Sequence, residues 1–290
     1  MSQPATSYVK CDLCGAGSGV RILEKEGRCY EQCSQCGFIY TNPRASDPAA
    51  ENVDAFEERL EKYIEKSFAA KTQRIYRNKL KLFQPYRVTR RLLEIGSNVG
   101  GFLLQARQQG WEPVGVEPVE ACADYGRKTH GLNIIPRTLE EAGLPSDHFD
   151  VVYSNAVFEH LASPSRVLQE VHRVLRPGGV VYIDTVNYDS YTQQLIGAGW
   201  KLLDPRAHLS LFTPTTLPRF FEQARLVVLR VSTHGVRLRP NESGKPKGFD
   251  RVRELFLKFP LSVGSRFTLK GDSIAVLAQK PGSTGSPGLQ

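Results

Sequence analysis

No stretch of this sequence approaches the run of about 20 apolar residues that a membrane-spanning helix needs. Its first ten residues, Met1 to Lys10, lack the hydrophobic core of a secretory signal. Both absences make the cytosol the expected compartment, where thiols stay reduced. Disulfides among the six cysteines are therefore not expected. Internal repeats are also missing. Acid is absent from one segment: between Lys66 and Arg91 there are nine Lys or Arg and no Asp or Glu, in a chain of formal charge +8. Most such runs are solvated helix faces, and Glu57, Glu58, Glu61 and Glu65 just upstream would balance this one. The other reading is a positive surface that draws an anionic partner. With 290 residues, 40% hydrophobic and 23% charged, the chain suits one large globular domain with small appendages.

The cysteines that are present follow a pattern. Cys11-x-x-Cys14 and Cys33-x-x-Cys36 lie 18 residues apart, which is zinc-ribbon spacing. Two hairpin tips can present four thiolates tetrahedrally to one Zn²⁺, and four sulfur ligands leave no open position, so a structural role is expected. Gly15 and Gly37 follow the second cysteine of each pair, where a tight knuckle calls for positive φ. Cys29 and Cys122 are left as spare thiols. Few basic residues flank the knuckles (Lys10, Arg21, Lys25, Arg28), which counts against a nucleic-acid module.

Residues 92–101, Leu-Leu-Glu-Ile-Gly-Ser-Asn-Val-Gly-Gly, run a buried strand into a glycine-rich turn that opens a helix. The spacing is E-x-G-x-x-x-G. Asn98 stands where a dinucleotide fingerprint has the glycine that lets a pyrophosphate approach. S-adenosylmethionine (SAM) carries no phosphate, so the spacing favours it over NAD. The next strand, Val114-Gly115-Val116-Glu117, ends in an acid 21 residues after Gly96. A carboxylate there can accept hydrogen bonds from both ribose hydroxyls.

From Arg91 onward strands and helices alternate, which predicts a parallel sheet. Strands are expected at Arg91–Ile95, Pro113–Glu117, Asn133–Pro136, Phe149–Ser154 (apolar enough to be central) and Val180–Asp184. Helices are expected at Gly101–Gly110, Val119–His130, Leu161–Leu175 (stopped by Pro177-Gly178-Gly179) and Pro214–Ala224. Leu226–Ser232 and Ser273–Ala278 read as a closing antiparallel pair, with a polar loop at Pro240–Gly248 between them. The fold class is α/β: a Rossmann-like doubly wound sheet, mostly parallel with an antiparallel closing strand, plus a small N-terminal zinc ribbon. Residues 8–42 form the ribbon, 43–88 one or two helices that link or cover, 89–280 the main domain and 281–290 a disordered tail. Phe56, Leu60, Tyr63 and Ile64, then Ile75, Leu80 and Phe83, carry the helical spacing of the second part.

These motifs resemble those of class I SAM-dependent methyltransferases, in particular the type 23 and ubiquinone-biosynthesis-like branch. The matching segments are residues 93–100, Gly115–Glu117, Phe149–Val152, Phe158-Glu159-His160-Leu161 and Arg173–Gly179, with His208–Thr213 and Thr216-Leu217. The resemblance implies transfer of a methyl group from SAM to an acceptor. It places Glu94, Gly96, Ser97 and Gly100 along the cofactor, with Glu117 on the ribose, Thr138 and Leu139 flanking the adenine and Asn155 near the methyl. Some ubiquinone-pathway relatives hold a metal with a Glu-x-x-Glu-His cluster. Here the first position is Ala156, leaving Glu159 and His160, which argues against a catalytic metal.

A methyl transfer to a hydroxyl needs a base. His208, in a Pro-bounded segment over the expected acceptor site, and His160, at the mouth of the sheet, are the candidates. Trp200, Tyr188 and Tyr191 either line the acceptor pocket or pack. The expected acceptor is a hydroxyl of a small molecule or glycan, with anionic character compatible with the basic segment. An RNA methyltransferase gripping phosphates through ribbon and basic run is the alternative. Strand four ends Ser154-Asn155-Ala156-Val157, not the Asn/Asp-Pro-Pro-aromatic pattern of enzymes that methylate base amino groups. A sugar C-methyltransferase is a second alternative, because an N-terminal cysteine ribbon also occurs there. A non-catalytic SAM-sensing or interaction protein is a third, opposed by the intact glycine loop.

Overall fold

The computed structural model describes residues 6–25, 27–45, 58–236, 261–265 and 267–282. The loop at Pro240–Gly248, residues 283–290 and the start of the expected helical stretch, Phe56 and Glu57 included, lie outside the described residues.

The N-terminal part is a set of short strands: β1 (Thr6–Ser7), β2 (Gly19–Lys25), β3 (Arg28–Cys33), β4 (Ile39–Thr41) and β5 (Arg44–Ala45). The knuckles form where the spacing put them. Gly15 N–H donates to the Cys11 carbonyl and Gly37 N–H to that of Cys33, with φ of 76° and 77° at the two glycines. Cys29 and Cys122 are both buried.

Two helices follow, α1 (Leu60–Phe68) and α2 (Ala70–Lys81). An extended Ala69, ψ 136°, separates them. Leu60, Tyr63, Ile64 and Phe68 form the apolar face of α1 and pack on Val99, Val119 and Cys122. The main domain then runs β6 (Arg91–Ile95), α3 (Gly101–Gln108), β7 (Glu112–Val116), α4 (Glu120–His130), β8 (Asn133–Ile135), β9 (Phe149–Asn155), α5 (Pro164–Val174), β10 (Leu175–Val186), α6 (Tyr191–Ile196), β11 (Ser210–Leu211), α7 (Leu217–Gln223), β12 (Val227–His234) and β13 (Ser273–Gln279). Seven strands make one sheet in the order β12-β13-β10-β9-β6-β7-β8. The four pairings from β10 to β8 are parallel, and β13 runs antiparallel to both neighbours. β9 is central, and Val151 and Val152 are fully buried in it.

Two expectations need correction. Helix α5 begins at Pro164, not Leu161, because Phe158–His160 close a 3₁₀ turn first and proline suits the first helical turn. It ends at Val174, before Pro177-Gly178-Gly179. Those three residues form an irregularity inside β10. The Lys280 ammonium donates to the His172 and Leu175 carbonyls at that helix end, which is where a cation is favoured.

Three residues of the basic run bond back to the main domain, while Lys71, Arg74, Arg77 and Lys81 stay exposed on α2. Lys79 turns inward to Tyr182 Oη at 2.5 Å and Asp184 at 3.9 Å. Arg87 donates to the Gln109 and Gly110 carbonyls and lies over Trp111. Arg90 pairs with Glu112 at 2.7 Å. Among the described residues no helix is long and apolar enough to cross a membrane.

Asp150 ties this segment to the sheet. One carboxylate oxygen accepts from the Val88, Thr89 and Arg90 amides, and the other from Arg176 at 2.5 Å. Burial pushes its carboxyl up, but Arg176 and the amides outweigh that and hold it below the usual carboxylate range. Asp150→Ala is expected to destabilise the fold by about 3–5 kcal/mol, since Arg176 and three amides lose their partner. Urea unfolding checks this, and a loss under about 1 kcal/mol would contradict it. Because the folded pKa is the lower one, this contribution is complete above about pH 4 and fades as pH falls through the folded value.

Candidate active site

The sheet reverses its winding between β6 and β9: β7 and β8 lie to one side of β6, and β9 and β10 to the other. Ligands bind at such a switch point, outside the carboxyl ends of the strands. The glycine loop sits there. Gly96 and Ser97 N–H both donate to the Val116 carbonyl, at 2.9 and 3.1 Å. Gly96 has φ 70°, and a Cβ on it would collide with Val157 beyond the end of β9. The backbone therefore requires glycine for two separate reasons. Asn98 has φ 48° and its Oδ1 accepts from the Val99 amide. Asparagine is among the few residues that tolerate this conformation. A Cβ on Gly101 would collide with Ser67 of α1, so α1 lies directly on the loop. Gln73 pins this contact by donating to the Ser67 and Gly101 carbonyls.

Glu117 follows β7 and is buried. Its carboxylate accepts from Asn98 N–H at 2.8 Å and Val119 N–H at 2.9 Å. Each oxygen keeps a further lone pair. Burial raises its pKa, and the two amides partly oppose that. Glu94, at the end of β6, is also buried, and its pKa is raised strongly by burial and then by Glu117. Glu94 Oε2 and Ser97 Oγ are buried with no hydrogen-bond partner among the described residues. Orphaned acceptors beside a buried carboxylate suit a ligand that brings an ammonium and hydroxyls. The residues therefore fit SAM. Ser97 aims its Oγ towards Gly115, under the loop. Thr138 N–H donates to Glu141, while Leu139 packs in the core. Asn155 is exposed at the end of β9, beside Asp184 of β10.

The two candidate histidines meet. Their rings lie 4.9 Å apart, edge to face. His160 Nδ1 is 2.6 Å from the Ala207 carbonyl, and His208 Nδ1 is 2.7 Å from that of Leu202. A carbonyl only accepts, so each Nδ1 carries a hydrogen, and in the neutral ring Nε2 is the basic nitrogen. Glu159 completes the cluster: one ligand atom from each of the three residues lies within 4.8 Å of the other two. Glu159 is buried and accepts from Thr185 Oγ at 2.6 Å. Burial pulls the His208 pKa down, with His160 acting in the same direction and Glu159 against it. Such a set can move a proton or hold a divalent ion. His208 joins Glu159 and His160 from a separate loop, which the chain order of the motif could not reveal. His208 is also largely buried rather than an exposed loop residue.

Sequence reasoning also missed a second cluster, on the other face of β10. His234 Nε2 lies 3.5 Å from Asp184, which Lys79 approaches from α2. Burial raises the Asp184 pKa, against His234 and Lys79. Trp200 is buried with Tyr30, Ile39, Leu203 and Leu211, so it packs between loop and ribbon. Tyr188 partly joins that cluster, and the Tyr191 hydroxyl meets Thr268 Oγ at 3.1 Å.

The four cysteines Cys11, Cys14, Cys33 and Cys36 converge, with all sulfurs within 4.8 Å of one another. Cys11–Cys36 and Cys14–Cys33 are 3.4 and 3.5 Å apart. Four sulfurs at these distances suit one tetrahedral Zn²⁺.

Sheet order, glycine loop and buried acids together define a SAM-dependent methyltransferase with a Rossmann-like fold. The chain belongs to the methyltransferase-domain family of type 23, whose family model matches residues 60–231, more than half of its length. It is 32% identical over 160 residues to a ubiquinone biosynthesis O-methyltransferase of Aeromonas salmonicida, covering 49% of this chain and 65% of that one. It is 29% identical over 129 residues to a malonyl-[acyl-carrier protein] O-methyltransferase of Enterobacter lignolyticus, covering 44% and 51%. The chain spans between 31% and 65% of the length of the curated relatives it matches first. Among solved structures, a SAM-dependent methyltransferase from Archaeoglobus fulgidus aligns over 75% of this chain and 98% of that one, with TM-score 0.54 and 19% identity. At that identity the likeness concerns the fold.

Proposed function

We propose that this methyltransferase acts on a hydroxyl of a small molecule or glycan, with His208 and His160 as the acid–base pair. One observation carries the reading: two imidazoles, each with Nδ1 on a backbone carbonyl, lie edge to face beside the buried Glu159 carboxylate. The similarity to O-methyltransferases supports oxygen as the acceptor atom.

When bound, SAM supplies an electrophilic methyl on a sulfonium, open to in-line displacement. Glu117 would hold the ribose hydroxyls, and Glu94 with Gly96, Ser97 and Gly100 the methionine side. Thr138 and Leu139 would flank the adenine, and Asn155 would face the methyl. Helix α1 lies on the loop through Ser67. One histidine Nε2 takes the acceptor's proton, Glu159 steadies the resulting imidazolium, and Thr185 holds Glu159 in place. Placement of the acceptor can supply roughly 7–11 kcal/mol, and a base near neutral pKa adds about 10²–10⁴-fold.

Lys79 and Arg87 of the basic run are engaged inside the main domain, which leaves fewer cations to grip RNA and favours a small acceptor. Transfer should vary little with salt, whereas an enzyme that grips RNA through 6–10 phosphates would lose roughly 10³–10⁵ in affinity from about 50 to 200 mM salt. The direct test is transfer of labelled methyl from SAM into a lysate, followed by separation into RNA, protein, and glycan plus small molecules. Label in the last fraction is expected. Label confined to RNA would overturn the reading. The cysteine cluster is assigned to structural zinc, so metal analysis of the purified protein should return one zinc per chain.

A further inference from the structure

We propose that the cysteine ribbon is a metal-dependent brace for the loop that carries His208, with Tyr30 and Thr41 as its positioning residues. Loss of the metal would then disable proton transfer while leaving cofactor binding intact. The consequence for catalysis rests on reading His208 as a base; the brace itself does not.

The ribbon is not an appendage beside the main domain. Its sheet has the order β11-β4-β3-β2, so a strand from the loop after α6 completes it. Ser210 pairs with Tyr40 and Leu211 with Ile39. The carbonyls of the preceding loop are then taken up by ribbon donors. Tyr30 Oη donates to the His208 carbonyl at 2.8 Å, and Thr41 N–H donates to that of Leu209 at 2.9 Å. Thr41 Oγ reaches the Pro205 carbonyl at 3.2 Å, and Lys25 Nζ that of Leu203 at 2.8 Å. The other side of His208 is fixed by its own Nδ1–H on Leu202. The backbone carbonyl of the candidate base, and those around it, are therefore held by the ribbon.

These donors depend on the knuckles. Tyr30 lies on β3, which ends in Cys33, and β4 begins three residues after Cys36. β4 itself has only three residues. A strand that short keeps register only if the turn before it is closed, and small metal-bound modules lose their fold with the metal. The chain of contact is thus sulfur to knuckle, knuckle to β4 and β3, and these strands to the loop of His208. The glycine loop lies outside this chain, against α1 and β7.

The test uses the full-length, metal-loaded protein, with hydrogen exchange read by mass spectrometry before and after chelation. Exchange in residues 202–212 should rise by roughly tenfold or more once these hydrogen bonds are lost. Residues 92–117 and the SAM dissociation constant should change by less than about twofold, as for uncoupled sites. Tyr30→Phe keeps the ring and all four cysteines. It should leave the zinc content unchanged, shift the His208 ring-nitrogen NMR signal, and lower kcat without altering SAM affinity. Chelation that releases residues 28–41 but leaves 202–212 protected would overturn the brace, as would SAM affinity falling in step. If chelation unfolds the whole chain, Tyr30→Phe decides: an unmoved His208 signal with unmoved exchange at 202–212 sinks the proposal. Exchange coupling that holds while His208→Ala transfers methyl at full rate would remove only the reading of His208 as base.

Discussion

His208→Ala should lower kcat by about 10²–10⁴-fold, the usual contribution of a positioned base, with SAM affinity unchanged within about twofold. The pH profile adds a sign. Burial, then His160, holds the His208 pKa below the ordinary histidine value, against Glu159. A base must be neutral to act, so kcat should rise with pH through a value below about 6.5 and stay flat above neutrality. The variant should lose that rising limb. Initial rates with labelled SAM across about pH 5 to 9 decide it. A variant with the wild-type rate and profile would remove His208 from the chemistry. His160→Ala should resemble it in direction, because the two rings share one proton-accepting space beside Glu159.

Glu117→Ala should abolish detectable SAM binding. Two charge-assisted hydrogen bonds to ribose hydroxyls, each worth about 1.5–3 kcal/mol, correspond to roughly 10²–10⁴-fold in the dissociation constant. The amides of Asn98 and Val119 would lose their acceptor as well. The loop would therefore loosen in addition to losing a ligand contact. Glu117→Gln keeps one acceptor oxygen and should fall between. Titration calorimetry with SAM measures both. An alanine variant that binds SAM as tightly as the parent would place the ribose elsewhere.

Much of this was legible in the sequence because it is local. A strand, a glycine turn and a helix in succession follow from a few dihedral preferences, and β6 occupies the predicted residues without change. The cysteine spacing likewise fixes its knuckles through two short turns. The start of α5 slipped because a 3₁₀ turn at Phe158–His160 precedes it and Pro164 opens it. Lys280, more than a hundred residues away, donates to carbonyls at the end of α5, a contact no local pattern announces.

Sequence alone determined the class: a parallel sheet around a SAM-type glycine loop with an acid after the second strand, and a four-cysteine knuckle pair ahead of it. Those features are set by residue type and short-range spacing. Only the tertiary structure decided what meets what. His160 and His208 lie 48 positions apart, and their contact depends on a loop returning over the end of β10. Lys79 lost its apparent surface role to a buried acid that no local pattern announces. The ribbon's attachment to the loop of His208 runs through one two-residue strand, β11, too short to carry a periodicity and defined only by the partner it pairs with.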